Sequence, residues 1–181
     1  MQSWISLSAI RHILERNWLE YRTLYKSFLL SDVLERTLYF VAFGFGLGAA
    51  VRLMGDVPYL SFLVAGLAAA GSALTVTMSS TYGIWSRMGE SSVWGSWLAT
   101  PLKLQEIILG EVFYISLRAM TTVIVLYSVA YVFDALPSVW GAVLTLPVIF
   151  LMNVSLSMFG LAFTSYAPRI LFFIFMKNIW M

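Results

Sequence analysis

The sequence predicts an all-α membrane protein, an N-terminal amphipathic helix followed by about four transmembrane helices. Three observations predict it. Of the 181 residues, 60% are hydrophobic and 11% charged, against about 45–50% apolar and about 25% charged in a soluble domain. A water-soluble fold of this size lacks the polar cover for so much apolar side chain. The charges are also segregated, with none between Val57 and Ser86 and none between Ala135 and Pro168. Finally, the polar segments between apolar runs have helical period and carry most of the basic residues.

Residues 1–36 form the first segment, the most hydrophilic of the chain. Ile10, Ile13, Leu14, Trp18, Tyr21, Tyr25 and Phe28 recur at helical spacing, while Arg11, Glu15, Arg22 and Lys26 recur on another face. Both a helix lying in the headgroup plane and one packed on the protein's own surface fit this pattern. The opening MQSWISLSAI lacks the charged and apolar regions of a secretory signal, so the N-terminus is expected to be retained.

Residues 37–168 hold the spans. The first is expected at about 37–54, around the apolar run Leu38 to Val51, with Arg36 and Arg52 snorkelling at its ends. Gly44 and Gly48 form a GxxxG, a spacing of small residues that lets another helix backbone approach closely. The turn Gly55-Asp56-Val57-Pro58 leads to a second span at about 59–80, rich in alanine and glycine and so expected to face protein. Arg87 to Glu111 is polar again and contains Pro101, a helix breaker. Within it Val93, Trp94, Trp97 and Leu98 share one face, which reads as a short amphipathic helix ending at Thr100-Pro101. Lying flat with Trp94 and Trp97 among the headgroups is the plain alternative for that helix.

A third span is expected at about 112–133. It is interrupted by Arg118, which is near enough to one end to snorkel to the interface. The fourth span, about 140–163, contains Pro147, expected to kink it, and Asn153, a polar group expected to face another helix or a cavity. Residues 169–181 are too short to span again and read as a tail or a truncated fifth span.

Orientation follows from the basic residues. Arg11, Arg16, Arg22, Lys26, Arg36, Arg87, Lys103, Arg169 and Lys177 fall on one side of a four-span arrangement, and Arg52 alone on the other. Both termini are therefore expected in the cytoplasm, with the chain in the inner membrane.

The chemistry that is missing narrows the function. Cysteine is absent and histidine occurs once, at His12, which removes thiolate and histidine-cluster metal sites. No phosphate-binding loop and no hydrolase motif occurs. Glu106 and Glu111 are expected to be solvated or paired with Lys103 and Arg118 rather than to act as an acid–base couple. The net charge of +2 argues against a nucleic-acid partner. Neither an enzyme nor a cofactor site is expected. A bundle of closely packing spans suits a transport subunit powered by a partner, the alternative being a small membrane scaffold that transports nothing, or a non-functional fragment of a permease.

The order of segments resembles the ABC-2 type transporter permeases, in the branch exporting polysaccharides, lipo-oligosaccharides and drugs. The residues that carry the resemblance are Leu38 to Gly48, Pro58 to Gly66, and the polar Leu98-Ala99-Thr100-Pro101-Leu102 followed by Glu106-Ile107-Ile108-Leu109-Gly110-Glu111. The resemblance covers about residues 15–168. It implies a cytoplasmic amphipathic helix before the first span and a coupling helix that docks on a separate ABC ATPase subunit, mapping here to Met88, Gly89, Glu90, Ser91, Trp94, Trp97 and Leu98 with Thr100 and Pro101 at its exit. It also implies a homo- or hetero-dimer of permeases. Members of the family typically carry more spans than the four read here, and the expectation is a chain shortened at its C-terminal end.

Overall fold

The computed structural model describes residues 6–48, 50–51, 53–89 and 93–166. Between Ser6 and Phe43 no glycine or proline interrupts the chain, and α1 runs unbroken over Leu7–Gly46. It stops among Gly44, Gly46 and Gly48. A two-residue hairpin then pairs β1, Leu53–Met54, with β2, Val57–Pro58. Gly55 makes its turn at φ +64, a left-handed conformation that a side chain disfavours. α2, Tyr59–Met78, follows directly and passes through a π-helical turn at Ser79–Gly83 into α3, Ile84–Met88. The short α4 spans Val93–Leu98, α5 Leu104–Val132 and α6 Val139–Tyr166, the last continuing through Pro147.

Local chemistry sets the helix ends. Glu106, three residues into α5, accepts the Lys103 N–H at 3.0 Å and the Ser6 N–H at 2.8 Å, so one carboxylate caps the starts of both α5 and α1. At the far end of α5, Asp134 adopts φ 53 and the Ala135 N–H returns to Ala130 O at 2.9 Å. That six-to-one bond closes the helix in a Schellman turn.

The four long helices alternate in direction. Ile13 packs on Gly110 and the Phe40 and Phe133 rings lie 5.7 Å apart, so α1 and α5 run side by side in the same sense. Ser61 bonds Ala135 O, while Arg118 reaches Ser79, so α2 runs the other way. Tyr127 pairs with Thr145 and Ser80 abuts Gly160, which sets α6 antiparallel to α5 and parallel to α2. One core cluster, with Ile13, Ile84, Trp94, Ile107 and Ile115, fills the end that carries α4. Another, with Phe40, Val64, Val123 and Leu126, fills the hairpin end. Leu144, Val148, Leu151 and Phe159 of α6 are exposed, a pattern suited to lipid or further helices and not to water.

The chain is an all-α membrane protein, and among the described residues three helices are long and apolar enough to cross a bilayer: Tyr59–Met88, Leu104–Val132 and Val139–Tyr166. They cover the stretches expected for the second and fourth spans and all but Phe133 of the third, and the second extends past residue 80 through the π turn. The first differs. Its helix ends at Gly46 rather than 54, leaving residues 37–46, roughly 15 Å of helix at 1.5 Å per residue, as its uncharged part. Nor is there a break at residue 36: the amphipathic segment and the apolar segment are one helix lying along α5. Of the two placements open for residues 1–36, packing on the protein is the one observed for the described part. Arg52, residues 167–181 and the side chains of Tyr25 and Phe28 lie outside the described residues.

Candidate functional site

At the end carrying α4, three polar side chains converge in the interior. Arg87 of α3 places Nη1 2.8 and 2.9 Å from the two carboxylate oxygens of Glu111 and 3.2 Å from Asn17 Oδ1. Its Nη2 lies 3.4 Å from Glu20 Oε2. Glu111 is fully buried, as is Asn17. A carboxylate so placed needs a cation to offset its lost hydration, and one guanidinium joins α1, α3 and α5. The guanidinium also lies 5.5 Å from the centre of the Tyr114 ring. Sequence reasoning expected Glu111 beside Arg118 or Lys103. The structure corrects this: Arg118 turns toward Ser79 of α2 at 3.5 Å, leaving Glu111 to Arg87. Glu106, expected to be solvated or salt-bridged, is a buried helix cap.

α4 sits on this cluster. Trp94 is buried with Ile13, Ile107 and Ile115, and the Arg16 guanidinium lies 5.0 Å over the Trp97 ring. Both tryptophans of the amphipathic helix therefore face the bundle rather than the headgroups, while Gly95, Ser96, Leu98, Thr100 and Pro101 are exposed. Met88 and Gly89, closing α3, are exposed as well. Glu90 and Ser91 lie outside the described residues.

The packing residues separate. Gly44 is buried, and a methyl there would come within 3.0 Å of Leu60 Cδ2 on α2. Gly48 lies past the end of α1, where a methyl would meet the Gly44 carbonyl oxygen and Tyr59. Both glycines serve the α1–α2 contact, though not as one helical face. Gly71 and Arg36 were missed as a pair. Arg36, expected to snorkel, is buried between α1 and α2, where Nη2 donates to Gly71 O at 3.2 Å and Thr75 Oγ1 at 3.3 Å. A methyl on Gly71 would fall 2.9 Å from Nη1. The signal available was the small-residue stripe of α2, which admits a flat guanidinium. Asn153 is buried on α6, its amide nitrogen 3.8 Å from Met120 Sδ of α5. No group of three or more metal-binding side chains occurs among the described residues.

Over 168 residues, 92% of this chain and 63% of the relative, the sequence is 30% identical to Nodulation protein J of Sinorhizobium fredii. It is 30% identical to Nodulation protein J of Rhizobium leguminosarum bv. trifolii over 91% of this chain and 62% of the relative. The protein of the same name from Rhizobium meliloti is 27% identical over similar shares, 91% and 62%. The chain thus spans less than two thirds of the length of these relatives. No family profile and no solved structure matches it.

Proposed function

We propose that this chain, which is similar to Nodulation protein J and resembles the ABC-2 type permeases, is the membrane subunit of an ATP-driven exporter. It forms part of the translocation path and couples to a separate ATPase subunit through α4. The observation that carries the reading is the setting of α4: its tryptophans are fixed inward on α1 and α5 while Gly95, Ser96 and Leu98 remain at the surface. A helix merely resting on lipid would turn its aromatic side to the membrane. Beneath it, the Arg87–Glu111 pair ties α1, α3 and α5 together, and Trp94 and Trp97 seat α4 directly on that assembly.

Orientation supports the reading. The α4 end carries Arg11, Arg16, Arg87 and Lys103, against Arg52 beside Asp56 and Asp134 in the sequence of the hairpin side, and that excess of basic residues supports a cytoplasmic α4 end. Both termini then lie on the cytoplasmic side of the inner membrane. Nothing in the chain resembles a nucleotide-binding motif, so ATP hydrolysis is assigned to the partner and no cofactor to the permease. A pair of permeases, as homo- or hetero-dimer, would complete the path.

Co-purification tests it. The chain is expressed with an ABC ATPase drawn from the neighbouring reading frames, and Gly95→Lys or Ser96→Lys should abolish recovery of the ATPase while leaving expression and insertion unchanged. Retention of the ATPase by both variants would remove α4 as the docking element.

A further inference from the structure

The long helix α2–α3 is seated on α6 at its π turn and tied to α1 and α5 beyond it. On one side, Ser80 seats so closely against α6 that a methyl on Gly160 would lie 2.9 Å from Ser80 Cβ. On the other, six residues past the turn's middle, α3 is tied to α1 and α5 by Arg87. In the turn the Ile84 N–H reaches Ser79 O, five residues back, and a single π turn inside an α-helix is a site where the backbone ladder is locally loosened. The Ser80 carbonyl is met from across the interface by the Thr164 hydroxyl at 3.2 Å. That hydroxyl also lies 2.9 Å from Gly160 O on its own helix. It has one proton and two acceptors. If Ser80 moves away, the proton goes to Gly160 O, and the buried donor is never left unpaired.

We infer that Ser79–Gly83 is the joint across which movement of the docked end is passed to the spans, and that Thr164 is the positioning residue that latches it. This rests on the coupling role proposed for α4. Ser80 and Thr164 hold the turn to α6 and Arg87 holds α3 to α1 and α5 beyond it, so a shift of the α4 end relative to α6 is taken up between Ser80 and Arg87. The alternative acceptor makes the latch reversible at little cost. A bend of roughly 20° at Thr81 carries Met88 sideways by about 4 Å, given the helical rise of 1.5 Å per residue.

The chain has no native cysteine, so spin labels can be placed at Met88 and Leu151, both exposed. Ser80 is level with Gly160, which puts these positions about 25 Å apart along the bundle axis. In the permease alone, reconstituted in lipid nanodiscs, a single distance population is expected for the parent and for Thr164→Ser, which keeps the donor. Thr164→Val, which keeps the shape and loses the donor, should show a second population displaced by about 1–2 Å, the projection of a ~4 Å sideways shift on this distance at a helix spacing of about 10 Å. Gly160→Ala, which must push Ser80 out, should move the distance in the same sense and serves if the valine variant does not insert. Adding the ATPase subunit with a non-hydrolysable ATP analogue should populate the second distance in the parent. A valine variant indistinguishable from the parent, or a bound ATPase that leaves the distance unmoved, would overturn the joint. Failure of any ATPase to bind would instead remove the coupling role, and the comparison of Thr164 variants in the permease alone would still decide whether the turn is latched.

Discussion

Replacing Glu111 by leucine removes the acceptor at the centre of the α4-end cluster. The parent carboxylate is fully buried and takes two contacts from Arg87 Nη1, at 2.8 and 2.9 Å. Breaking a buried pair by deleting one partner costs about 3–5 kcal/mol, because the remaining charge keeps its desolvation and loses its offset. Arg87 would retain Asn17 at 3.2 Å and the half-exposed Glu20 at 3.4 Å, so the expected loss for Glu111→Leu lies near the lower figure, about 3 kcal/mol. Arg87→Leu leaves a fully enclosed carboxylate without its cation and should cost more, about 5 kcal/mol. The double variant removes both charges together and should fall short of the sum by roughly 2–3 kcal/mol. Equilibrium unfolding of the purified chain in mixed micelles of increasing SDS content measures all four species. Additivity within ~0.5 kcal/mol would refute the pairing, as would a harmless Glu111→Leu.

Trp94→Ala should destabilise the chain by about 3–5 kcal/mol in the same assay, since Trp94 is core, and any loss of ATPase binding in that variant should scale with loss of fold. Gly71→Leu should displace the Arg36 guanidinium and cost about 1–3 kcal/mol, while Gly66→Leu, where a side chain meets nothing within 4 Å, should be near neutral; equal effects would disprove the Arg36 contact. Gly44→Leu should weaken the α1–α2 contact by a similar ~1–3 kcal/mol through collision with Leu60, and Leu47→Ile, at an exposed position, should be tolerated. For topology, Asp56→Cys should react with an impermeant thiol reagent in intact cells and Thr100→Cys should not; the reverse pattern inverts the orientation.

The three apolar helices were legible because their signal is local: long uncharged runs place α2 and α6, and α5 is a long apolar run broken only by Arg118 after its charged first turns. The continuity of α1 was less so. A hydropathy window separates residues 1–36 from 37–54 by average polarity, yet no residue between them stops a helix, and the backbone follows the absence of a breaker. Arg36 shows the same limit, since a cation near the end of an apolar run reads as snorkelling until the neighbouring Gly71 is known to leave room for it. The Arg87–Glu111 pair joins residues on different helices, so the closer sequence neighbours Lys103 and Arg118 were the expected partners. The π turn has no composition of its own. The expected second span ended at about residue 80, inside the turn, and the Gly160 notch that seats Ser80 is far away in the sequence. The tryptophans of α4 were recognised as one face, but whether that face met lipid or protein depended on where α1 lay.

The central claim is that α4 meets an ATPase subunit, and site-specific photocrosslinking tests it most directly. A benzophenone amino acid at Gly95, exposed on α4, is compared with the same group at Leu144, exposed on α6 in the apolar part of the bundle. In membranes holding the assembled complex, the coupling account predicts a crosslink to the ATPase subunit from Gly95 and none from Leu144. An intact complex that gives no crosslink from Gly95, or gives one from the hairpin end at Asp56, would contradict it.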